Sequence, residues 1–79
     1  MNDSEFRHLY RKAIDALSGG LKVWNCFTVQ EQCAVAIVLN RADWLDLIGY
    51  TLVEAIERAG PVWVSLMPRV VRSLANEQA

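Results

Sequence analysis

The side chains able to do chemistry are few. His8 is the only histidine, and Cys26 and Cys33 are the only cysteines, in 79 residues. Nucleophilic catalysis needs a thiol or hydroxyl beside a base that a third group holds in place. Helical spacing puts His8 on the polar face of a first helix and Cys33 inside an apolar run, so no local pattern links them. His8 therefore reads as a solvated surface residue. If both thiols were helical, their seven-residue separation would put them ~10.5 Å apart along the axis, beyond the reach of a disulfide. Free thiols are expected, with Cys33 buried. One histidine and two cysteines are too few for a four-ligand structural zinc site without carboxylate help. No metal and no cofactor are expected.

Carboxylates are the next candidates. Asp43 with Asp46, and Glu54 with Glu57, are i,i+3 pairs, and on a helix each pair faces one way. Paired carboxylates do acid–base work only in a shaped, partly dry cleft, and on an outer helix face they are solvated charge. Gly19-Gly20 has neither the following lysine nor the preceding strand that a phosphate loop requires, so it reads as a helix stop. The expectation is a protein that is not an enzyme.

Cations and stray apolar groups remain, and both belong to recognition. Arg7, Arg11 and Lys12 cluster in the first helical segment and Arg69 and Arg72 in the last. If those segments are neighbours, the five cations make one patch suited to a nucleic-acid backbone. The net charge of −1 argues against it, as do four acids on the would-be recognition helix of residues 41–59. Protein recognition is the larger class. Tyr50 and Val53 fall far from the core stripe of that helix, among Asp46, Glu54 and Glu57. Trp63, Val64 and Val71 add apolar surface to the last segment. An aromatic residue ringed by acids makes a plausible contact site.

Helices must position these groups. Cys33 to Leu39 is an unbroken apolar run, preceded by Thr28-Val29-Gln30-Glu31, a capping box. A helix apolar on every side has to be covered on every side, so residues 28–39 are expected as a buried central helix. Upstream, Asn2 caps a helix over residues 3–18 whose stripe is Phe6, Leu9, Tyr10, Ala13, Ile14 and Leu17. Residues 21–27 read as an extended loop anchored by Trp24, with a turn near Asn25. Asn40 marks a break, and a third helix is expected over residues 41–59, with Trp44, Leu47, Ile48, Thr51, Leu52, Ala55, Ile56 and Ala59 inward. Gly60-Pro61 ends it and opens a fourth helix over residues 61–75, kinked or restarted at Pro68, with Val62, Trp63, Leu66, Met67, Val70 and Leu74 sharing one side.

With 53% apolar and 22% charged residues, the chain is no disordered tail, and at 79 residues it is one small domain. No apolar segment approaches the ~20 residues of a membrane span, and the polar, acidic start Met1-Asn2-Asp3-Ser4-Glu5 is unlike a secretory signal. The sequence thus predicts an all-α, four-helix domain in the cytoplasm. Its expected role is a non-enzymatic interaction module, an adaptor or inhibitor docking on a larger protein, with a homodimer through the fourth helix as the accompanying expectation. Nucleic-acid regulation through Arg7, Arg11, Lys12, Arg69 and Arg72 is the alternative.

Overall fold

The computed structural model describes residues 3–78, and among these every regular element is a helix. They are α1 (Asp3–Trp24), α2 (Val29–Val38), α3 (Ala42–Leu47), α4 (Leu52–Ala59) and α5 (Pro61–Gln78). The expected cap at Asn2 lies outside the described residues.

The centre is α2. Thr28 Oγ1 accepts from the Glu31 amide at 3.2 Å while Glu31 Oε1 accepts from the Thr28 amide at 2.9 Å, closing the capping box seen in the sequence. Residues 31 to 36 are all buried, and α1, α3, α4 and α5 each pack against this helix. Small side chains allow close approach: Ala34 and Ala36 on α2, Ala13 and Ala16 on α1, Ala55 and Ala59 on α4 are all buried. Larger ones fill the space between, with Leu9, Trp24, Val35 and Val70 fully enclosed. Each such aliphatic side chain stabilises the fold by about 1.5–3 kcal/mol relative to an exposed one.

Residues 21–24 differ from expectation. Gly20, at φ 68 and ψ −154, breaks the first helix, and the chain then resumes helical geometry to Trp24 instead of running extended. Only glycine enters that backbone region without strain. The four resumed residues answer the problem of unpaired backbone groups, because the Leu21 and Val23 carbonyls accept from the Asn25 and Cys26 amides in the expected turn. The anchor is where it was expected. Trp24 is fully buried, its indole Nε1 donates to the Gln32 carbonyl at 2.9 Å, and its ring lies 5.1 Å from that of Trp44.

The expected helix over residues 41–59 is two helices. Gly49, at φ 73, stops α3, and Thr51 starts α4 with a second capping box, its Oγ1 accepting from the Glu54 amide at 3.1 Å. The break before them is at Asn40, as expected, but its role is different. Asn40 adopts φ 58 and closes α2 in the left-handed stop that asparagine tolerates, with the Arg41 amide donating to the Ala36 carbonyl. At the far end Gly60 terminates α4 and Pro61 begins α5. That helix carries Pro68 in its interior and does not restart there.

Candidate functional site

The split between α3 and α4 decides what the surface looks like. Continuous helical phase would have turned Leu47, Leu52 and Ile56 inward. The residues around Gly49 reset that phase, and α4 instead buries only Ala55 and Ala59 against the rest of the protein. The large side chains are displaced outward: Leu47 is 62% exposed, Leu52 56%, Val53 76% and Ile56 40%. On α4, Leu52, Val53 and Ile56 occupy one flank of the helix at ~100° per residue.

Tyr50, half-buried, is the shared wall of two grooves beside this ridge. One is polar and is lined by Gly49, Glu54, Glu57 and Arg58. The other runs towards Ile37, Leu45, Asp46 and Leu52. The expected surface residues Asp46, Val53, Glu54 and Glu57 are all exposed and lie on or beside the ridge. The backbone amide and hydroxyl of Thr51 hold the Glu54 carboxyl below its ordinary pKa, so it stays ionised well into mildly acidic conditions. Three acids against Arg58 leave this side of the molecule negative.

The candidates on α5 divide. Val71 is exposed and Val64 half-buried. Trp63 is not surface at all: it belongs to the core, and its indole donates to the Glu5 carboxylate. The sequence pattern gave Trp63 two roles, core stripe and contact, and packing against α1 selects the first. A charged residue there would test folding, not association.

A second surface lies between α1 and α5, which run in the same direction: Glu5 meets Trp63, Phe6 meets Arg69, and a groove joins Phe6 and Tyr10 to Ser73 and Asn76. Phe6 and Tyr10 stack, with centroids 5.7 Å apart and planes 9° from parallel. The Arg69 guanidinium sits 4.1 Å from the Phe6 ring centroid, and an Asp3 carboxylate oxygen lies 4.0 Å from it. Arg7 and Arg11 line the adjoining hollow with Tyr10 and Ile14, and Arg72 is exposed three residues beyond Arg69. Three of the five expected cations, Arg7, Arg11 and Arg69, therefore gather around Phe6 and Tyr10. Lys12 does not join them: its ammonium lies over the Phe27 ring at 4.8 Å and 4.0 Å from Glu31, on the opposite flank of α1.

His8 has a partner that sequence spacing did not show. Its Nε2 lies 2.7 Å from Glu31 Oε2, and its ring is 5.6 Å from that of Trp63. Glu31 is thus shared between the cap of α2 and the side of α1. Its burial favours the neutral acid, but the Thr28 amide, His8 and Lys12 outweigh that and hold its pKa below the ordinary value. The arrangement ties α1 to α2. Among the described residues no group of three or more histidine, cysteine or acidic side chains is placed to hold a metal ion. Both cysteines are free; Cys33 is buried, which pushes its thiol pKa up despite the charge of Arg58.

Comparison of the chain with protein-family models, with curated proteins and with solved structures finds no match. No described helix is long and apolar enough to cross a membrane.

Proposed function

We propose that this protein is a non-enzymatic interaction module that docks on a larger protein through the surface of α3 and α4, bridging it to something else or blocking it. The observation that supports this is the exposed ridge of Leu52, Val53 and Ile56 on α4, with Leu47 also exposed at the end of α3, on a domain whose buried side-chain polar atoms are all hydrogen-bonded among the described residues. Contiguous exposed apolar surface rimmed by charge is the usual mark of a contact site. Asp46, Glu54 and Glu57 form the rim, with Tyr50 between the grooves. Two free thiols suit a reducing compartment, and we place the protein in the cytoplasm.

The test is site-specific photocrosslinking in the cell of origin. A crosslinker at Val53 should give a discrete protein adduct, whereas one at the exposed Lys22 should not. Equal labelling from both positions, or no adduct from Val53 and Leu47, would remove the reading.

The gathering of Arg7, Arg11 and Arg69, with Arg72 exposed on the same helix as Arg69, supports a second reading, nucleic-acid binding between α1 and α5. It predicts affinity for duplex that falls steeply with salt and is lost in Arg7→Ala with Arg11→Ala. Absence of binding at low salt eliminates it.

A further inference from the structure

We infer that the acidic ridge of one copy docks into the arginine groove of another, so that the protein self-assembles head to tail. The inference rests on the reading of α3 and α4 as a docking surface and names an occupant for it. The two halves of the contact match in chemistry. The ridge offers Leu52, Val53 and Ile56 beside Glu54 and Glu57 on a two-turn helix. The groove offers the apolar surfaces of Tyr10 and Ile14 beside Arg7 and Arg11, with Arg69 lying over the Phe6 ring at its edge.

The two surfaces are also separate enough to be used together. On α2, Glu31 and Gln32 face α1 through His8 and Trp24, while Gln30 reaches the other way and donates to the Ala59 carbonyl at the end of α4. Ridge and groove thus lie on opposite sides of the central helix. A contact between two different patches is heterologous, and it propagates as a chain or closes as a ring according to the rotation per step. An isologous dimer of ridges would instead bring Glu54 and Glu57 against their own copies, which like-charge repulsion disfavours. Duplex nucleic acid suits the groove less well: the fifth cation, Lys12, is turned away, and the Phe6 ring is already covered by Arg69.

Sedimentation velocity over a concentration series tests this with two variants, each checked for native helicity by circular dichroism. Arg7→Glu with Arg11→Glu spoils the groove and leaves the ridge; Val53→Glu spoils the ridge and leaves the groove. Wild type should associate, with an apparent Kd that weakens at least about tenfold between low and high salt. Each variant alone should sediment as a monomer, and an equimolar mixture should form a 1:1 dimer that grows no further. A wild-type monomer at millimolar concentration overturns the inference. So does self-association of the groove variant by itself, or a mixture in which the two variants ignore each other. If the wild type is monomeric while Val53 still crosslinks to a foreign protein in the cell, self-docking falls and the module reading stands. If association occurs without a foreign adduct, the opposite holds.

Discussion

Replacing Trp24 with phenylalanine should cost about 2 kcal/mol. The indole is fully buried and makes one hydrogen bond, to the Gln32 carbonyl. Losing a single such bond costs about 1 kcal/mol; the carbonyl keeps its helical donor four residues on, so no orphan acceptor adds to this. Phenyl is three heavy atoms smaller than indole. A residual void of roughly 40 Å³, at about 24 cal/mol per Å³, adds about another 1 kcal/mol. A domain of this size has roughly 4–12 kcal/mol in total, so Trp24→Phe should remain folded. With a urea m-value near 1 kcal/mol/M, its midpoint should drop by about 2 M at unchanged slope. The same change at Trp44, whose ring lies against that of Trp24, serves as a comparison for ring packing. A Trp24→Phe midpoint within about 0.5 M of wild type would refute the claim that this side chain fastens the resumed turn of α1 to α2.

Thr51→Ala removes the side-chain acceptor at the start of α4 and should lower stability by about 1 kcal/mol in thermal or urea unfolding. Gly49→Ala meets no neighbouring atom, so its cost, about 1–2 kcal/mol, should come from the left-handed backbone alone and show equally in both assays. Glu31 has a folded pKa below its ordinary value near 4.5. Its contribution is therefore fully present above that value and is lost as pH falls through the folded pKa. Glu31→Gln should unfold more easily than wild type at pH 7 and should flatten the acid limb of the stability profile read by urea titration. In native protein a thiol reagent should modify Cys26 rapidly and Cys33 only at the rate of unfolding, followed by mass spectrometry.

The parts of the fold that could be read ahead of the coordinates were those announced by chemically specific local signals. Thr28 with Glu31 marked the central helix, the apolar run behind it required complete burial, and Gly60-Pro61 marked the last junction. The error over residues 41–59 had the same kind of signal available: Thr51 and Glu54 repeat the Thr-x-x-Glu box, and Gly49 stands just before it. Hydrophobic periodicity alone bridged them because Trp44, Ile48, Ala55 and Ala59 keep phase across the gap by coincidence. The consequence reaches the surface, since the expected stripe turns Leu47, Thr51, Leu52 and Ile56 inward and all four are exposed. The acids around them, and Val53 itself, were legible as surface because they opposed the stripe under either register. The His8–Glu31 contact and the Arg69–Phe6 stack join residues 23 and 63 positions apart. No window of sequence contains both partners of such a pair, so only the packing of α1 against α2 and α5 reveals them.

Because every other helix leans on α2, no piece of this protein can be spared. Removing α5 or α1 would strip cover from residues 33–38, which have no polar side to turn towards water, so truncated forms should aggregate instead of surviving as smaller domains. For the same reason the amides of residues 33–38 should exchange with deuterium only when the entire chain opens at once, making this helix an internal gauge of global stability.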